Sequence, residues 1–268
     1  MARASKSSKM RQRNNILIGT FSLLLVIASL AAFGWWWNQK KSGIDPNTLC
    51  PLQGPLGHNI LLVDKTDPLN LAQKAAFDLL VTDLVTNKTP PGYLLSIFVL
   101  GDDFLTQVKP LVELCSPGDS KGHDELTENL KKINKQYKDR FLTPIFDQST
   151  LLLGASPAQE SPILEMLQMV SLNSIQPRNV SGPKTLIILT DLLQNSKQLN
   201  MYKAVPTFEQ FSNTVYARKT QINFKDVDIQ IHYLQNTPSL QVDKLFTFWK
   251  EYFKAAGAKS LDMVALPG

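Results

Sequence analysis

The sequence predicts an α/β domain: three layers, a mainly parallel sheet with one antiparallel edge strand, and one N-terminal transmembrane helix ahead of it. Three observations predict this. Apolar runs such as Asn59-Ile60-Leu61-Leu62-Val63 and Thr185-Leu186-Ile187-Ile188-Leu189 are too uniform for strands with a wet face, and they alternate with segments of helical periodicity. One short connection, Gly101-Asp102-Asp103, joins two neighbouring runs as a hairpin, which places an antiparallel strand at an edge. The 22 residues from Ile16 to Trp37 carry no charge.

With 268 residues and 43% apolar side chains, the chain can bury one ordinary core with segments to spare. A net charge of +5 and an isoelectric point near 9.1 suggest nucleic acid until the charges are located. Arg3, Lys6, Lys9, Arg11, Arg13, Lys40 and Lys41 precede residue 42 with no acid among them, leaving 21 basic against 23 acidic residues in the remainder. Counterion release needs clustered cations, so this near-neutral remainder argues against nucleic acid as a partner.

Residues 1–15 form a basic tail and 16–37 a signal-anchor, long enough at helical rise to cross about 30 Å of hydrocarbon. Five basic residues before the span against two after it place the N-terminus in the cytoplasm. Trp35, Trp36 and Trp37 suit the far interface. A cleaved signal peptide fits less well, because the run exceeds the usual 7 to about 15 residues and Ala31 and Ala32 lie inside it. The expectation is an inner-membrane, single-pass chain whose C-terminal part is periplasmic or extracellular. Cys50 and Cys115 suit that oxidising side, either as a disulfide or as two poorly exposed thiols, and their spacing excludes a CxxC motif.

Residues 38–57 hold Gly43, Pro46, Pro51, Gly54, Pro55 and Gly57 and read as a linker; 58–268 form the domain. Its first strand is 59–63. Asp67 as N-cap and Pro68 inside it open a helix with Leu69, Ala72, Ala76, Leu80 and Leu84 on one face, ended by Asn87 to Gly92. Strands follow at 93–100 and 105–115, then a polar loop and a charged helix at 124–146. Ser161-Pro162 caps a helix to Leu172, and 184–190 is strand four. Thr207 and Gln210 have capping-box spacing for a helix to Lys219, and 227–234 is strand five. A helix at 239–256 with Leu245, Phe246, Trp249, Tyr252 and Phe253 ends at Gly257 before a last strand, 260–266.

Strand one runs into Asp64-Lys65-Thr66-Asp67-Pro68 and strand four into Thr190-Asp191, so two buried strands end in hydroxyls and carboxylates. In parallel sheets the ligand crevice lies beyond the carboxyl ends of the strands. On these residues the chain from Asn59 to Leu266 resembles the von Willebrand factor type A superfamily. There the first strand ends in Asp-x-Ser-x-Ser, a threonine comes from a later loop and an aspartate follows the fourth strand, together forming a metal-ion-dependent adhesion site. The resemblance maps Asp64 and Thr66 onto the first aspartate and serine, Ser161 onto the loop threonine and Asp191 onto the second aspartate. Pro68 stands where the second serine would be and supplies no hydroxyl. The motif is therefore degenerate. Magnesium or manganese is the implied ion, since two carboxylates and two hydroxyls offer hard oxygen donors.

The expected function is that of a membrane-anchored, non-enzymatic protein-binding module, an adhesion or scaffold domain for an unknown protein partner. Two other readings stand beside it. A membrane-tethered phosphohydrolase would use Asp64 as nucleophile, in the manner of haloacid-dehalogenase-type phosphatases, although Thr66 stands where that family has its second aspartate. A purely structural subunit of an envelope complex would use its helical faces. His58, His123 and His232 show no paired spacing, and no glycine-rich phosphate loop or GxSxG context occurs.

Overall fold

The computed structural model describes residues 19–35, 43–100, 109–122, 124, 129–152, 154, 158–178, 180 and 182–266. It divides into two units, residues 1–43 and 44–268. In the first, residues 19–35 form helix α1, and Phe21, Leu23, Leu24 and Trp35 on it are exposed. Among the described residues no helix is long and apolar enough to cross a membrane. The expected span is thus described only in part: residues 16–18, Trp36, Trp37 and the basic tail lie outside the described residues, as do the Gly101-Asp102-Asp103 turn and His123.

Among the described residues, the second unit is built on six strands: β1 (Gly57–Asp64), β2 (Tyr93–Leu100), β3 (Val112–Cys115), β4 (Lys184–Thr190), β5 (Val227–Leu234) and β6 (Ser260–Leu266). Their order is β3-β2-β1-β4-β5-β6, parallel throughout except for β3, which pairs antiparallel with β2 at one edge. Strand alternation sends Ile60, Leu62, Phe98, Leu186, Ile188 and Ile229 into one core, with helices α5 (Ile163–Val170), α6 (Phe208–Ser212) and α8 (Asp243–Ala255). Leu61, Val63, Leu95, Ile97, Ile187 and Leu189 enter the opposite core, beneath α2 (Leu71–Thr86) and the long mid-chain helix, α3 (Leu130–Tyr137) to α4 (Thr143–Leu152). β1 and β4 lie at the centre, so both their faces are apolar. β5 alternates instead: Val227, Ile229 and Ile231 are buried while Asp228, Gln230 and His232 are half-buried.

Several helix boundaries differ from the sequence expectation, each for a local reason. α2 begins three residues later than expected, because Asn70 and Gln73 form a reciprocal capping box, so Asp67 is not the cap. Its buried stripe is Gln73, Phe77, Val81, Leu84 and Val85, turned from the expected face. The mid-chain helix starts at Leu130 under Asn129 and runs through α3 (Leu130–Tyr137), a π-turn (Lys138–Leu142) and α4 (Thr143–Leu152). Thr207 and Gln210 do form the expected capping box. The helix breaks after Ser212, and Thr214 caps α7 (Val215–Lys219). α8 ends at Gly257, which takes the left-handed conformation (φ 82°).

Residues 44–56, expected within the linker, are folded against the domain. Ile44 bridges Pro51, Leu49 is buried, and Cys50 forms a disulfide with Cys115 at the end of β3 (S–S 2.06 Å). Leu94, at the start of β2, pairs with Cys115, whereas Leu100, at its end, pairs with Asp64. The disulfide and the carboxylates therefore sit at opposite ends of the strands.

Candidate functional site

Asp64 is the last residue of β1 and Thr190 the last of β4, its parallel neighbour. From β1 the chain proceeds to β2 on one side, while β4, β5 and β6 build the other side. The connections diverge between β1 and β4. In a parallel sheet such a divergence is where a ligand crevice forms, beyond the carboxyl ends of the strands.

The crevice is held by hydrogen bonds onto Asp64. Thr66 donates to Oδ1 from its backbone N–H at 3.0 Å and from its hydroxyl at 2.6 Å. Ser161 Oγ and Thr190 Oγ1 donate to Oδ2 at 3.1 and 2.9 Å. A carboxylate has about four lone-pair directions, and all are used here. Burial raises the Asp64 pKa, and the donors from Thr66, Thr190 and Ser161 oppose that rise.

Ser161 reaches Asp64 because it does not cap a helix. α5 starts at Ile163, and its N-cap position is Pro162, without a side-chain cap. The amide of Leu164 donates instead to Gln194 Oε1 at 2.8 Å, so a side chain after β4 caps α5. Paired backbone bonds between Ser161 and Asn195, at 2.8 and 2.9 Å, pin the segment beside the β4 loop. The serine hydroxyl is thereby left for the crevice.

Asp191 accepts the Leu193 amide on Oδ1 and the Tyr202 hydroxyl on Oδ2, both at 2.9 Å. Burial and then the charge of Asp64 push its pKa up to about 7, with Asp67 adding to the rise. Between Asp191 and Leu193, Leu192 adopts φ 67°, which no glycine eases. Trp249 Nε1–H donates to the Leu192 carbonyl at 2.9 Å and holds that peptide in place.

The structure thus brings together Asp64, Thr66, Ser161 and Asp191, all buried. It adds Thr190 and Tyr202. Thr190 had a sequence signal, standing beside Asp191 at the end of an apolar run, and hydroxyl-plus-carboxylate at that position marks it. Tyr202 lies in a loop without periodicity, and nothing in the sequence ties it to the crevice. Pro68 is exposed, three residues ahead of α2.

Among the described residues, no group of three or more His, Cys, Asp or Glu side chains is placed to hold a metal ion. The donor set here is of another kind. A hydroxyl has one proton and two lone pairs. Thr66 and Ser161 direct their protons to Asp64, so what they can offer the crevice is lone pairs, backed by two carboxylates. Such a set fits a small hard cation such as magnesium or manganese, with water completing its shell.

No known family model matches the sequence, and no curated protein matches it. Solved structures similar to it include VWA2, the ArnB paralog from Sulfolobus acidocaldarius (12% identity, 78% of this chain and 41% of that one, TM-score 0.35). The VWA domain of SpRpn10 is similar over 79% of this chain and 89% of that one (12% identity, TM-score 0.39). Proximal thread matrix protein 1 from the mussel byssus, with a zinc-occupied MIDAS motif, is similar over 80% of this chain and 42% of that one (15% identity, TM-score 0.36). The chain thus spans about two fifths of the length of the first and third. None of these similarities places it in a family; the architecture rests on its own strand order and register.

Proposed function

We propose that residues 58–268 form a von Willebrand A-like recognition domain that binds a protein partner at the Asp64–Asp191 crevice with the help of a divalent cation. The observation that carries this reading is the convergence of three hydroxyls on one buried carboxylate at the divergence between β1 and β4. Thr66, Ser161 and Asp191 would hold the cation, with Asp64 behind them orienting the two hydroxyls and adding its charge. Bound there, it would supply positive charge that an acidic side chain of the partner can reach. The chain's own residues do the rest: Thr66, Ser161 and Thr190 fix Asp64, Gln194 keeps Ser161 free, and Trp249 holds the peptide that aims Asp191. The phosphohydrolase reading has less support, because a nucleophilic carboxylate needs an open oxygen and both oxygens of Asp64 are taken by internal donors.

The test is a thermal-shift series on the full chain in detergent micelles with magnesium, manganese or EDTA. Millimolar metal is expected to raise the midpoint of the wild type and to leave Asp64→Ala and Asp191→Ala unmoved. A wild-type midpoint indifferent to both metals would refute the cation.

The proposed setting is a membrane, with residues 16–37 as anchor. Its support is the uncharged run, the basic tail before it, and exposed apolar side chains along residues 19–35. Resistance to alkaline extraction, and a reporter fused at residue 45 that is active only on the outer side, are the expected results. Cytoplasmic reporter activity would overturn the topology.

A further inference from the structure

We infer that Tyr202 sets the cation affinity of the crevice: its hydroxyl holds Asp191 Oδ2, and a divalent cation binds by displacing it. This rests on the cation reading above, and it concerns a residue outside the proposed ligand set.

Asp64 has no lone-pair direction left, so Asp191 is the carboxylate with room for a further partner. Its Oδ1 is fixed by the Leu193 amide, which belongs to the turn and cannot leave without unfolding it. The other oxygen accepts from Tyr202, a side chain. Tyr202 is 38% exposed while Asp191 is 3% exposed, so the phenol lies on the solvent side of the acid it covers. It stands in the field of three acids, since Asp191, Asp67 and Asp64 all act on it. A phenol O–H offers that cluster one dipole, whereas a divalent ion offers two full charges, so the cation is favoured once the phenol swings out.

The loop itself need not open. Met201, the preceding residue, is 1% exposed, and its amide donates to Gln194 O at 2.9 Å. Asn195 and Asn200 bridge across the loop base. With the backbone pinned on one side of Tyr202, rotation about the side chain's own bonds is the available movement. The cover is hinged at the residue and not at the loop.

The experiment is calorimetric titration of manganese into the full chain in detergent micelles, for wild type, Tyr202→Phe and the Tyr202→Phe/Asp191→Asn double variant. Removing one hydrogen bond to a charged acceptor should tighten binding about tenfold or more in Tyr202→Phe. The double variant should lose binding. A Tyr202→Trp variant adds a spectroscopic readout: its emission should shift on manganese addition as the ring moves into water. Circular dichroism and the metal-free melting midpoint establish that each variant is folded. If wild type binds and Tyr202→Phe binds equally or more weakly, the displacement fails while the cation reading stands. If neither binds, both fail. Binding by Tyr202→Phe alone would support the displacement in its strongest form.

Discussion

Ser161 Oγ stands 3.1 Å from Asp64 Oδ2 although 97 residues separate the two in sequence. The bond joins the loop before α5 to the end of β1, and it is one of four that compensate a buried carboxylate. Ser161→Ala should therefore destabilise the domain by about 1.5–3 kcal/mol, the range for a hydrogen bond to a charged group. Ser161→Thr, which keeps a hydroxyl, should cost less. Urea unfolding in EDTA checks both; an alanine variant within about 0.5 kcal/mol of wild type would mean that this bond contributes little.

Two buried groups act oppositely on stability in overlapping pH windows. The Asp191 pKa is raised from 3.8 to about 7, chiefly by burial and then by Asp64, with Asp67 beyond. Between those values the folded chain holds a proton that the unfolded chain has released, so this contribution to stability falls as pH rises. His58, near the start of β1 at the other end of the strands, is lowered from 6.5 to about 3 by burial and by Arg178 and Lys184. There the unfolded chain holds the extra proton, so the His58 contribution rises with pH up to about 6.5. Asp191→Asn removes the first and keeps the second. The stability of the variant relative to wild type should grow by up to about 1.4 kcal/mol per pH unit from pH 4 to 7 and then level off. Urea midpoints between pH 4.5 and 7.5 in EDTA measure it, and a difference independent of pH would contradict the assignment.

The sheet was legible because its signal is redundant. β1 and β4 are apolar on both faces, and only central parallel strands of a covered sheet need that. Capping was less legible because several residues compete for one role. Asp67 and Ser161 both have the chemistry of an N-cap, yet Asn70 with Gln73 outcompetes the first, and the distant Gln194 serves the helix of the second. The crevice acids could be read from strand ends. Tyr202 could not, since its partnership with Asp191 depends on how an irregular loop folds back, and no local period encodes that.

Cys50 and Cys115 close a loop of 65 residues at the end of the strands opposite the crevice. Chain-entropy arithmetic for a loop of that length gives about 4 kcal/mol of stabilisation. Cys50→Ser/Cys115→Ser should lose most of it, read as a lower urea midpoint with an increased slope for the more expanded unfolded chain. Because Asp64 lies at the other end of the strands, the folded variant should keep its manganese affinity. A large loss of affinity without unfolding would show coupling along β1 and β2.

Trp249 is fully buried, and its indole N–H reaches the carbonyl of Leu192, the left-handed residue next to Asp191. Two substitutions separate the ring from the strain. Leu192→Gly would relieve a left-handed residue, worth roughly 1–2 kcal/mol, but it also empties a site that is 1% exposed. Losing a buried leucine costs about 2–5 kcal/mol, so packing wins and the variant should be less stable than wild type. Trp249→Phe keeps an aromatic ring but leaves the Leu192 carbonyl without its donor, at about 1–3 kcal/mol plus a small cavity. The effect should reach the crevice, since that peptide aims Asp191. The control is Phe253→Leu, a buried change on the same helix whose ring stacks on Phe224 and makes no such bond. At matched loss of stability, Trp249→Phe should weaken manganese binding and Phe253→Leu should not; equal weakening would assign the effect to general loosening of α8.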